Sequence, residues 1–180
     1  MQAWKALGSK VVFEHKWIKL RQDTVQLPSG RILDDYFIVV GSEVAMIVPV
    51  TNEGKFILTK QYRYALDDFV VEFPAGGVDS GEDTKAAALR ELREETGYTA
   101  TSVTHLATLA SNPARSGNKV HLFLAQNVEK KYEVKLDESE IIETLICSAQ
   151  ELRAMVENGD IYVSSSVAAV YLALDYLEKH

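Results

Sequence analysis

The sequence predicts an α/β fold: a mixed sheet with helices packed on its faces, preceded by a small antiparallel β-sheet segment. Three observations predict it. The first 40 residues hold runs of β-branched and aromatic side chains broken by turn residues. From Thr84 the pattern changes to strong helix formers. The element order is then strands, helix, strands, helix, helix, which leaves helices to cover a sheet.

The elements follow in order. Val11–Phe13, Trp17–Leu27 and Arg31–Val40 read as strands, with a turn at Pro28-Ser29-Gly30. Val44–Val50 and Lys55–Arg63 pair as a hairpin across Thr51-Asn52-Glu53-Gly54. Val70–Phe73 is a short strand ended by Pro74. Thr84–Thr96 is a helix, with Asp83 to cap its start and Gly97 past its end. Thr101–Ala110, Val120–Gln126 and Ile141–Cys147 return to strand. Ser148–Asn158 is a helix with a capping box, Ser148 and Glu151, closed by Gly159. Ser164 caps a last helix whose apolar stripe is Val167, Val170, Tyr171, Leu174 and Leu177. The boundaries expected are a β segment over residues 1–41 and one domain over 42–180.

Composition narrows the function classes. With 26 acidic and 19 basic residues the net charge is -7, the wrong sign for a general grip on nucleic acid or an anionic membrane. The longest apolar run, Val44–Val50, is too short to span a bilayer. Met1–Lys10 does not read as a secretion signal. One cysteine, Cys147, excludes a disulfide framework or a cysteine zinc site within the chain and is compatible with a cytoplasmic location. His15, His105, His121 and His180 are scattered and read as structural or solvated. Ser164-Ser165-Ser166 reads as a helix start.

The chemistry concentrates on the helix 84–96. With Glu91 set at zero, Glu95 lies at about 40° and Glu94 at about −60°, so three carboxylates share one face. Leu92 and Leu89 point elsewhere, toward a core. Like charges at this spacing cost a helix about 0.2–0.5 kcal/mol per pair. Arg90 and Arg93 offset part of that. A divalent cation offsets it better, and hard oxygen donors select Mg²⁺ or Mn²⁺. Ala75-Gly76-Gly77 lets backbone approach a ligand, and Glu82 lies close enough to pair with Arg90. The competing reading of the run alone is a solvated acidic helix face.

The constellation of Gly76, Glu82, Arg90-Glu91-Leu92, Glu94-Glu95 and Gly97 resembles the Nudix box at every charged and glycine position. Only Tyr98, where that family has an aliphatic residue, departs. The resemblance implies a Nudix-type α/β/α sandwich and a Nudix pyrophosphatase. Its substrate is a nucleoside diphosphate linked to another moiety. Glu91, Glu94, Glu95 and the carbonyl of Ala75 would hold Mg²⁺, with Gly76, Glu82, Arg90 and Gly97 as the structural positions.

Other segments resemble one branch. Pro113, fifteen residues past Tyr98, resembles the ADP-ribose pyrophosphatases, as does the acidic loop Asp137-Glu138-Ser139-Glu140-Ile141. There Glu140 would complete a metal site, and Glu138, Glu140 or Glu94 would take a proton from the attacking water. Arg63 resembles the pyrophosphate-binding arginine, a planar fork suited to phosphate. Arg115 is a second phosphate candidate. Glu72 either touches a ribose or pairs with a basic residue. Trp17 aligns with an aromatic that stacks the nucleobase, with sheet packing as its other reading. In this branch the N-terminal strands build a homodimer. Asp34-Asp35-Tyr36 stands where branch members carry a substrate-contacting arginine, which favours a broader nucleoside diphosphate sugar enzyme. The implied reaction releases nucleoside monophosphate and sugar phosphate from ADP-ribose or a related nucleoside diphosphate sugar. The alternatives are GDP-mannose, nucleoside triphosphates, or a non-catalytic nucleotide-sensing module.

The charge also has a place. Residues 76–98 carry six acids and three bases, and residues 133–143 carry five acids and one base. Together these hold the whole -7, because the remaining 15 acids and 15 bases cancel.

Overall fold

A computed structural model describes residues 1–137 and 140–180. The chain forms two compact units. Met1–Ser42 joins Ala110–Lys119 in the first, and Glu43–Leu109 joins Val120–His180 in the second.

The first unit is a three-stranded antiparallel sheet of β1 (Lys5–His15), β2 (Ile18–Gln26) and β3 (Ile32–Val40) in that order. The turn before β3 is the expected one, with Gly30 at φ 85° and its N–H donating to Leu27 O. β1 begins six residues earlier than its side chains suggest, because Lys5–Lys10 pair with Gln22–Gln26 of β2. Pairing supplies what propensity does not. The loop 110–119 is held to β3: Val39 N–H donates to Arg115 O, and the Tyr36 hydroxyl to Ala114 O. Of this unit's apolar residues, only Val25 is buried.

The second unit holds an eight-stranded mixed sheet with path order β11-β5-β4-β10-β8. Its strands are β4 (Val44–Thr51), β5 (Phe56–Arg63), β6 (Asp68–Glu72), β7 (Ala75–Gly77), β8 (Tyr98–Thr99), β9 (Thr104–Ala110), β10 (Lys119–Lys130) and β11 (Ile142–Cys147). β4 and β10 are parallel, whereas β10–β8, β11–β5, β4–β5, β4–β7 and β5–β6 pair antiparallel. The helices are α1 (Thr84–Thr96), α2 (Ala149–Glu157) and α3 (Ser164–Lys179).

The sheet is buried on both faces. Along β4, Met46, Val48 and Val50 join one cluster with Leu152 of α2 and Ala169 and Val170 of α3. Ala45 and Ile47 join another with Ala87, Ala88 and Leu92 of α1. Period-two alternation thus sends successive side chains to opposite helix layers. This is the α/β/α sandwich.

Three expectations are corrected here. The hairpin of β4 and β5 holds only at its turn, where Val50 faces Phe56. Beyond it the arms separate. β6 pairs with β5 and β7 with β4, so residues 68–77 fill the gap between them. Ser164 does not cap α3: the N-cap is Val163, with no side-chain bond. Of the expected stripe, Val170 and Leu174 are buried and Val167 and Leu177 pack against the core, but Tyr171 is 45% exposed, and Ser166, Ala169 and Ala173 complete the buried face. Small residues there let the helix lie close to the sheet. The capping box of Ser148 and Glu151 forms as expected. Among the described residues, no helix is long and apolar enough to cross a membrane.

Candidate active site

α1 is set by local signals. Asp83 accepts from the N–H groups of Lys85 and Ala86, and Gly97 closes the helix at φ 76° with its N–H on Arg93 O. A Cβ on Gly97 would also strike the carbonyl of Tyr132. Ala87, Ala88 and Leu92 seat α1 on Ala45, Ile47, Ile57 and Phe123. That seating carries Glu95, three residues past Leu92, down against the sheet.

Glu95 is only 4% exposed. Burial is the main cause that raises its carboxyl pKa to about 8, and the charges of Glu91 and Glu140 add to it. The Ala75 N–H, which donates to it, and the Arg63 charge oppose the rise. Its Oε2 has no hydrogen-bond partner. Glu91 is also raised, chiefly by burial, while Arg90 opposes and Glu94 and Glu140 reinforce. The solvated-face reading therefore does not hold.

Arg90 is the knot of the loop that leads into α1. It donates to Glu82 through Nε and Nη2, both at 3.0 Å, and to Gly77 O at 2.9 Å. Its Nη1 reaches Glu91 at 2.5 Å and Glu94 at 3.4 Å. The Arg90 hydrogen bonds hold Glu82 below its usual range. Gly76 lies against Glu91 so closely that a Cβ would fall on the carboxylate.

β5 and β6 bring the other members. Arg63 donates to Glu72 Oε2 from Nε at 2.9 Å and pairs with it through Nη2 at 2.8 Å. Glu72 is 8% exposed, and its backbone carbonyl accepts from the buried Thr59 hydroxyl. Of the two readings of Glu72, the structure has it paired with a basic residue. Asp137 N–H donates to Glu140 Oε2 at 3.1 Å, and Glu140 N–H donates to Asp137 O.

The fold thus brings Arg63, Glu72, Ala75, Glu91, Glu95 and Glu140 to one region of the second unit. Glu94 lies at its edge, engaged by Arg90 and Arg93. Glu138 lies outside the described residues. Trp17 and Arg115 belong to the first unit. Trp17 is 78% exposed in the turn between β1 and β2, not packed in the sheet, and Lys16 lies over its ring at 4.8 Å. It lines an open depression of about 650 Å³. Arg115 lies over the Tyr36 ring at 5.6 Å.

The histidines are engaged structurally. His121 pairs with Glu43 at 2.9 Å and meets the Thr108 hydroxyl, which also meets His105. Burial pushes the Cys147 thiol up to about 11, so it is not a nucleophile at neutral pH.

Among the described residues, no three His, Cys, Asp or Glu side chains are arranged as a closed metal cage. The donor set nevertheless fits a hard divalent cation. It consists of carboxylate and carbonyl oxygens, it includes an orphaned buried oxygen on Glu95, and its acids raise one another's pKa. Arg90 occupies one oxygen of Glu91.

Comparison with known proteins accords with this geometry. Residues 41–166 match the NUDIX domain and residues 4–39 the nucleoside diphosphate sugar hydrolase N-terminal domain. The chain belongs to the Nudix family. A methanol dehydrogenase activator of Bacillus methanolicus is 35% identical over 98% of this chain and 96% of its own length. An ADP-ribose pyrophosphatase of Bacillus subtilis is 36% identical over 94% and 92%. The crystal structure of an ADP compounds hydrolase, 24% identical, superposes with a TM-score of 0.89 over 99% of this chain and 96% of that one. At that identity the likeness shows the fold.

Proposed function

We propose that the protein is a Mg²⁺-dependent Nudix pyrophosphatase that hydrolyses ADP-ribose or a related nucleoside diphosphate sugar. The products are nucleoside monophosphate and sugar phosphate. One observation carries the reading. A buried carboxylate with an orphaned oxygen, Glu95, is coupled to Glu91, Glu140 and Arg63 on the helix of the Nudix box. An ADP-ribose pyrophosphatase relative at 36% identity supports the substrate class.

Glu91, Glu94, Glu95, Glu140 and the Ala75 carbonyl would hold the cation, Mg²⁺ or Mn²⁺. When bound, it neutralises phosphate charge and acidifies a water. Arg63 is tethered through Nε and Nη2, which leaves Nη1 for a phosphate oxygen. Glu140, Glu138 or Glu94 takes the proton of the attacking water. Glu72 orients Arg63, and Trp17 and Arg115 are the first unit's own candidates for contacting a nucleotide. The first unit buries only Val25 and leaves Val11, Phe13, Ile32 and Phe37 exposed, which supports a homodimer built on that sheet. Sedimentation equilibrium tests the dimer. A cytoplasmic location agrees with the single reduced thiol.

A panel of nucleoside diphosphate sugars with Mg²⁺, reading released monophosphate, tests the function. ADP-ribose is expected among the best substrates. GDP-mannose or a nucleoside triphosphate turned over in its place would move the substrate assignment, and binding without release would make the protein a sensor.

A further inference from the structure

β5 and β6 place Arg63 directly opposite Asp68, and Thr59 directly opposite Glu72. Opposite charges facing each other across an antiparallel pair are natural partners. Arg63 does not take that partner. It leans back along the strand to Glu72, with Nε at 2.9 Å and Nη2 at 2.8 Å from one oxygen.

The two acids nearer Arg63 in sequence are each engaged by a tyrosine. The Tyr62 hydroxyl donates to Asp67 Oδ1 at 2.5 Å, and Asp67 is fixed at φ 52°. The Tyr162 hydroxyl, from the segment just before α3, donates to Asp68 Oδ2 at 2.9 Å. The other oxygen of Asp68 accepts from the Phe69 N–H at 2.8 Å. Each Asp68 oxygen therefore already accepts one hydrogen bond. The hydrogen bond to Asp68 is the main cause that raises the Tyr162 pKa, and the Glu72 charge adds to it. The phenol stays a donor across the neutral range.

The difference matters for the site. Glu72 is buried, and from it the Arg63 charge reaches Glu95. Asp68 is exposed at the far end of the strand pair. We propose that Tyr162 is a positioning residue: by occupying Asp68 it removes a decoy anion and keeps the Arg63 guanidinium turned toward Glu72 and the box acids. The inference rests on reading Arg63 as the cation that binds the substrate pyrophosphate.

The test is a three-variant comparison with ADP-ribose and Mg²⁺. Tyr162→Phe frees Asp68 and is expected to raise KM about two- to fivefold, the range exposed ion pairs support, with kcat nearly unchanged. Adding Asp68→Asn, which keeps an acceptor for the Phe69 N–H but carries no charge, is expected to restore KM. An unchanged KM in Tyr162→Phe, or a double variant no better than the single one, overturns the proposal. The Arg63 Nε–H resonance of the metal-free protein, assigned by its loss in Arg63→Lys, gives a second readout. It should move in Tyr162→Phe and return in the double variant. If Arg63→Lys leaves KM unchanged, the pyrophosphate reading fails. The resonance then decides the positioning alone: movement supports it and no movement overturns it.

Discussion

Replacing Glu95 by Gln should make the metal-free protein more stable while removing its activity. The carboxyl has its pKa raised from an ordinary 4.5 to about 8, chiefly by burial and then by Glu91 and Glu140. Between those two values the folded state binds the proton more tightly than the unfolded state. Stability therefore falls as pH rises through that window. At pH 7 the ceiling on the cost is about 3–4 kcal/mol, at about 1.36 kcal/mol per pH unit above 4.5. Relaxation and water entry reduce it to about 1–2 kcal/mol. For a chain of this size that is a Tm difference of about 2–8 °C. The assay is thermal unfolding in EDTA from pH 4.5 to 8.5. The two proteins should melt together at the acid end, with Glu95→Gln progressively higher toward pH 8. Mg²⁺ should raise the Tm of the parent more than that of the variant. Turnover of ADP-ribose should drop by orders of magnitude. A Tm gap that does not change with pH, or a variant less stable at pH 8, would refute the reasoning.

Gly76→Ala should push the Glu91 carboxylate out of place, because the added methyl falls on it. We expect kcat/KM to fall on the order of tenfold or more, with a small change in the urea midpoint. Gly97→Ala should act on the fold instead, since it imposes a left-handed conformation at φ 76° and a clash with the Tyr132 carbonyl. A loss of about 2 kcal/mol, read as a lower urea midpoint at unchanged m, is the expected result.

The helix α1 of the Nudix box was legible because its signals are local. Fixed spacing and a 3.6-residue period put Glu91, Glu94 and Glu95 on one face, and Asp83 and Gly97 mark the ends. The pairing of Glu82 with Arg90 spans eight residues of one loop and helix, and it forms as read. β7 was not legible, since Ala75-Gly76-Gly77 has no strand propensity of its own. It is a strand because the arms of β4 and β5 separate and leave backbone groups for it to pair with. Ser164 and Tyr171 looked right for a cap and a stripe. Val170 and Leu174 of that stripe are buried, but which neighbours complete the buried face, Ser166, Ala169 and Ala173 and not Tyr171, depends on what the helix packs against.

The sequence by itself therefore determined the class of site, the layered α/β plan and the acids that carry the charge. These depend on residue type and short-range spacing, which chain geometry translates directly. Only the tertiary structure decided that Glu95 is buried with an oxygen unpaired, that Arg63 answers to Glu72, and that Tyr162 holds Asp68 across 94 residues. Burial and long-range pairing are properties of packed elements, and no local pattern encodes which side chains that packing will bring together.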